Sequence, residues 1–261
     1  MQNFDLLTFF FFILGAIFGS FANVIILRLP NKQSIIHPRS HCLNCSKIIA
    51  WYDNIPLFSF LFLRGRCRHC QTSISFRYFI VELITAWFFA LSYQYFGLSW
   101  NFVEALCFLF PIVICTFIDL DHMILPDKFT LSGIVIGLIG SLLNPDRQFY
   151  EAFLGVLLGG GFLWLLAYLY FVFSGRDGLG GGDIKLLAWI GAVLGWRSIP
   201  FVILVSSILG SIVGLILSKK NPDGLKTMIP FGPFLAIGAV IYLFGGGWLG
   251  EIYLNLFLPG L

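Results

Sequence analysis

Apolar stretches recur along the chain at residues 6–27, 78–97, 101–118, 128–143, 150–174, 183–197, 199–217 and 231–257. A bilayer-spanning helix needs roughly 20 predominantly apolar residues, within a range of about 17–25. Each stretch is therefore read as a transmembrane helix. The fourth and sixth are short, so they tilt or start deeper in the bilayer. One long polar segment, residues 28–77, separates the first span from the second. The pattern predicts an all-α polytopic membrane protein of about eight transmembrane helices, with a small loop domain between the first two. Met1 to Asp5 carries no basic n-region, and Arg28-Leu29-Pro30 is no small-residue cleavage site, so the first span is expected to be a retained helix rather than a signal peptide.

Composition agrees. Hydrophobic residues make up 58% of the 261 and charged residues 11%, whereas a soluble domain carries about 25% charged residues. The basic residues are unevenly placed. Threading eight spans puts 14 of the 16 Lys and Arg on the side of the 28–77 loop, leaving only Arg147 and Arg197 opposite. The positive-inside rule makes that side cytoplasmic and both termini external. Nothing in this composition calls for a nucleic-acid partner; the expected surroundings are the lipid bilayer.

Against this background the carboxylates stand out. Asp119, Asp121 and Asp127 flank the end of the third span, and an Asp at the centre of a membrane helix costs roughly 2.5–3.5 kcal/mol, less toward its ends. A fourth acid, Asp183, follows Gly180-Gly181-Gly182 and opens another apolar segment. The topology puts all four at cytoplasmic helix ends. The glycine run lacks a following Gly-Lys-Ser/Thr and a strand–helix setting, so it is no nucleotide loop. It lets backbone approach Asp183 closely, and a helix N-terminus favours the Asp183 charge. One acid from each stretch, brought together, shares a proton and can activate water against a peptide bond without a covalent intermediate. Residue type alone leaves open which of Asp119, Asp121 and Asp127 takes part. It also leaves open a proton-coupled transporter, although transport sites lie near the membrane midplane, and a membrane methyltransferase whose acids only bind substrate.

The polar loop holds Cys42-Leu-Asn-Cys45 and Cys67-Arg-His-Cys70. Two such knuckles match a four-thiolate zinc ribbon, the metal supplying the folding energy that a small loop lacks. A reducing cytosol disfavours disulfides there. Asn23, among Gly19, Ser20 and Ala22, is placed to hydrogen-bond across a close helix interface. Glu82, inside the second span, is expected to pair with a basic group such as Arg77.

Taken in order, these stretches resemble the type IV prepilin peptidase family. The resemblance rests on Gly19-Ser-Phe-Ala-Asn23 with Arg28-Leu-Pro30, Pro38–Cys42, Trp51–Pro56, Arg64–Cys67, Ile74–Tyr78 with Val81-Glu82, Phe117–Asp121 with Leu125-Pro-Asp127, and Gly180–Asp183. It implies a bacterial inner-membrane aspartyl protease. The catalytic pair would be Asp119, seven residues before Pro126, and Asp183. Asp121, Asp127, Gly180, Gly182 and Lys185 would be accessory. The substrates would be prepilins or pseudopilins, cut after a glycine at the cytoplasmic face. The new terminus would be N-methylated with S-adenosylmethionine, an activity associated with the Cys-bearing loop and first span. Residues 1–97 would form the N-terminal region and 98–261 the protease domain.

Overall fold

The computed structural model describes residues 5–175, 180–219 and 229–257, with side chains to residue 246. Part of the glycine-rich 174–183 loop, the basic residues Arg176, Lys220 and Lys226 and the Pro222-Asp223-Gly224 turn lie outside the described residues. The elements are helical: α1 (Leu6–Arg28), a 3-10 turn (Trp51–Asn54), α2 (Phe58–Phe62), α3 (Phe76–Phe96), α4 (Trp100–His122), α5 (Asp127–Leu143), α6 (Phe149–Ser174), α7 (Gly181–Leu194), α8 (Ser198–Ser218) and α9 (Gly232–Phe257). No strand occurs among the described residues, only the isolated bridges His41–Ile48 and Arg66–Ser73. Every predicted span is a helix. Among the described residues, five of them, α1, α3, α4, α6 and α8, are long and apolar enough to cross a membrane, and the part of α9 searched, Gly232–Gly246, is apolar too. The remaining two, α5 and α7, have 17 and 14 residues.

The chain divides into two compact units, Met1–Ile114 and Cys115–Leu261. In the first, α1 packs along α3 because small residues face it. A Cβ on Gly15 would come within 2.7 Å of the Thr85 carbonyl, and one on Gly19 within 2.6 Å of the Glu82 Cα. Asn23 continues this stripe and donates to the Tyr78 carbonyl at 3.0 Å, as its place in the stripe predicts. The loop then plugs into the helix pair. Leu57, with φ +63, packs against Ala16 and Ala86, and its amide donates to Glu82 Oε2 at 2.8 Å. Glu82 also bonds Ser20. The basic partner expected for Glu82 is thus replaced by a backbone amide and a hydroxyl, which satisfy a buried carboxyl without importing a second charge.

In the second unit α7 is the axis, with α5, α6, α8 and α9 packed around it. Residues Leu186–Ala192 are buried on every face. Close approach again relies on glycine. Gly155 of α6 and Gly191 of α7 meet backbone to backbone, and Trp189 fills the space where a Cβ on Gly133 would stand. At 14 residues α7 is about 21 Å long, short of a roughly 30 Å hydrocarbon core. Gly195, at φ +78, ends it.

These contacts predict that Gly155→Leu in α6 will force α6 off α7, lowering the melting temperature in detergent by the equivalent of about 3 kcal/mol or more. Gly161→Ala, where a Cβ meets nothing within 4 Å, is expected to leave it unchanged or raised. Equal effects of the two substitutions would contradict the packing.

Candidate functional site

Helix α4 ends at His122 because Met123 adopts φ +54 and its amide returns to the Asp119 carbonyl at 2.8 Å. Leu125 and Pro126 follow, and α5 starts at Asp127. This tight turn places Asp119 inside the last turn of α4, 5% exposed. Its Oδ2 accepts the amide of Gly232 at 3.1 Å, where α9 begins. Asp183 lies in the first turn of α7 and interacts electrostatically with Asp119. The two acids singled out from separate stretches are therefore close enough to feel each other's charge. Asp121 is two residues further along α4, about 200° around the helix, and is exposed.

The glycines control the approach. A Cβ on Gly182 would stand 2.9 Å from the Leu125 Cβ, and one on Gly232 would stand 2.7 Å from Asp119 Oδ2 and 3.3 Å from Leu125 Cδ1. Leu125 is thus wedged between the starts of α7 and α9, beside the acids. A Cβ on Gly180 would lie 3.2 Å from Asp183 Oδ2. Asp127 and Lys185 pair at 2.6 Å, joining the start of α5 to that of α7. The Gly232 amide was not foreseen from sequence. Its signal is Pro230-Phe231-Gly232-Pro233, which reads as no more than a turn because a backbone donor has no residue type of its own.

In the first unit Cys42, Cys45, Cys67 and Cys70 converge, all four sulfurs within 4.8 Å of one another. The Sγ atoms of Cys42 and Cys70 are 3.7 Å apart. Thiolates about 2.3 Å from a tetrahedral ion would be about 3.8 Å from each other, so the cluster fits. The two knuckles are built alike. The Cys42 and Cys67 amides donate to the carbonyls of Lys47 and Thr72, and Ser46 and Gln71 take φ +57 at matching places. Hydrogen bonds with the Thr72 hydroxyl and amide pull the Cys70 thiol down to about 5. The amides of Cys45 and Asn44 lower Cys42 likewise. Against the pull of the Lys47 amide, burial and hydrogen bonds to the neighbouring sulfurs push Cys45 up to about 11, so the sulfurs share protons among themselves. Arg68 grips Asp53 at 2.6–2.9 Å, tying the second knuckle to the Trp51–Asn54 turn. Buried Arg28 donates to the carbonyls of Ser34 and Pro38, fixing the exit of the loop from α1. Of the other two cysteines, Cys115 is buried and Cys107 exposed on its helix.

Residues 105–215 match the type IV leader peptidase family, and residues 13–96 match the bacterial peptidase A24 N-terminal domain. The chain is 38% identical over 271 residues to the prepilin leader peptidase/N-methyltransferase of Aeromonas hydrophila, covering 95% of this chain and 93% of that protein. This chain belongs to the type IV leader peptidase family. Other relatives of the same name, from Legionella pneumophila and Pseudomonas aeruginosa, are 36% and 35% identical, with 92% and 93% of this chain and 92% of each relative covered. No solved structure matches significantly. Nothing in these likenesses favours a transporter.

The Asp127–Lys185 pair of this leader peptidase relative is exposed on both sides, so its coupling is expected to be at most about 1 kcal/mol. A double-mutant cycle of Asp127→Ala and Lys185→Ala, read by denaturation, checks this. A coupling above about 2 kcal/mol would instead make the pair a main clamp on the acid site.

Proposed function

We propose that this chain is a membrane aspartyl endopeptidase that removes the short basic leader of type IV prepilins or pseudopilins after a glycine, and that it N-methylates the exposed terminus. What supports the reading is the electrostatic interaction of Asp183, at the start of α7, with Asp119, at the end of α4 and bonded by the Gly232 amide. Two carboxyls held together share a proton. The ionised one draws a proton from water as the water attacks the scissile carbonyl. Its partner gives a proton to, or hydrogen-bonds, the carbonyl oxygen. The Gly232 amide holds Asp119 Oδ2 in place throughout. Gly180 and Gly182 keep the acid clear of side chains, the Asp127–Lys185 pair braces the two helix starts, and Asp121 serves in an accessory role from the surface.

We assign cleavage to residues 98–261 and methylation to 1–97. The eight helices α1 and α3 to α9 form the membrane part of an inner-membrane protein, the 28–77 loop and the acids facing the cytoplasm and both termini outside. Zinc, held by Cys42, Cys45, Cys67 and Cys70, staples the loop. S-adenosylmethionine would supply the methyl group to the exposed amine. What supports this half of the reading is the shared name of the relatives and the match of the N-terminal domain.

Asp119→Asn and Asp183→Asn are each expected to lower cleavage of a prepilin-like peptide by about 10²- to 10⁴-fold, with methylation of a pre-cut peptide retained. Mass spectrometry reads both products, and cleavage surviving in either variant would refute the assignment. Gly232→Ala is expected to cost about 10²-fold in cleavage by displacing Asp119. Elemental analysis should find about one zinc per purified chain. A metal-free, disulfide-bonded loop in native cells would overturn both the zinc and the orientation.

A further inference from the structure

Between Asp53 and Arg64 the polar loop is interrupted by ten residues without a charge, Asn54-Ile-Pro-Leu-Phe-Ser-Phe-Leu-Phe-Leu63. An apolar stretch of that length is too short to cross a bilayer and suits a buried or re-entrant segment. Its place in the fold is deep. Leu57, at its bend, packs against Ala16 and Ala86. These lie 12 residues before the end of α1 and 10 after the start of α3, about 15–18 Å along each helix from the loop side. Half of a hydrocarbon core is about 15 Å. The groove between this segment and α1, about 630 Å³, runs from Arg28 and Arg39 to Ile13 and Ile17. The free face of the segment is apolar: Phe58, Leu61 and Phe62 are 52%, 61% and 85% exposed. Its backbone is closed. The amides of Phe58, Ser59, Leu61 and Leu63 bond to carbonyls within the segment, that of Ile55 to the Ser59 hydroxyl, and that of Leu57 to Glu82. Water would satisfy such amides unaided, whereas in hydrocarbon each needs a protein partner.

We propose that residues 54–63 form a re-entrant wedge in the leaflet on the loop's side, with Phe58, Leu61 and Phe62 against lipid acyl chains. The charges that bound the wedge, the Asp53–Arg68 pair with Arg64 and Arg66, then lie at the headgroups, and exposed Trp51 and Tyr52 sit where interfacial aromatics collect. The occupant follows from continuity. The groove joins the wedge to α1, whose outward Phe10 and Ile17 meet lipid wherever α1 spans the bilayer. Glu82 acquires a reason as well. The bend at Leu57, φ +63, turns one amide away from the segment's own carbonyls, and a carboxyl inside the helix pair receives it. The wedge rests on α1 and α3 crossing the membrane and on neither proposed activity. It holds the second knuckle, which begins at Cys67, against the membrane surface.

The test uses the full chain in vesicles of phosphatidylcholine and phosphatidylglycerol that contain a trace of phospholipid with a diazirine at mid-chain. After irradiation and digestion, mass spectrometry maps the adducts. Yields on residues 54–63 should fall within about threefold of those at Phe10 and Ile17, and exceed by about tenfold or more the yield at Leu43, an exposed residue of the first knuckle. A water-soluble diazirine should reverse that order. Lipid adducts on α1 with none on 54–63 would overturn the wedge and leave α1 in the membrane. Adducts on neither would overturn both. Labelling of 54–63 from water alone would mark a face presented to another protein, and labelling from neither probe a face already covered by protein. Each of these also overturns the proposal.

Discussion

The constraint on which the second unit depends is the burial of a short helix. Residues Leu186–Ala192 of α7 are covered on all sides, and α6 can come close enough only because Gly155 and Gly191 offer backbone and no side chain. At about 21 Å, α7 is the shortest of the apolar helices α1 and α3 to α9, and it carries Asp183 in its first turn. Asp119 lies in the last turn of α4, just before Met123 turns the chain, and accepts the Gly232 amide. Their electrostatic contact is what the proposed acid pair rests on.

The first unit solves a different problem with similar means. Its loop buries too little apolar surface to fold by itself. Four cysteine sulfurs gathered within 4.8 Å of one another, a guanidinium gripping Asp53, and Leu57 plugged between α1 and α3 give it order. Glu82 shows the cost of that plug being met: a carboxyl deep in a helix pair is satisfied by the backbone of the loop it anchors.

Much of this was legible in the residues. Hydropathy located every long helix, since an apolar run of this length has few other uses. The knuckles and the acids declared themselves because Cys and Asp are costly or reactive and so rarely incidental. Asn23 was legible as a polar group in a stripe of small residues. What residue type could not convey was depth and partnership. Hydropathy counts α7 as a span, although burial inside protein, rather than contact with lipid, accounts for its apolar character. Glu82 suggested a cation because charge implies countercharge, yet an amide and a hydroxyl serve. Gly232 was hidden because the group that matters is main chain.

The most direct test of the central claim is proximity. In a chain with Cys107 and Cys115 replaced by Ala, Asp119→Cys and Asp183→Cys should be joined by a short bifunctional thiol reagent, giving after digestion a linked peptide pair that holds both positions, distinct from any link among Cys42, Cys45, Cys67 and Cys70. Failure to find that pair under any condition, while chains carrying either added cysteine alone react at it, would contradict it.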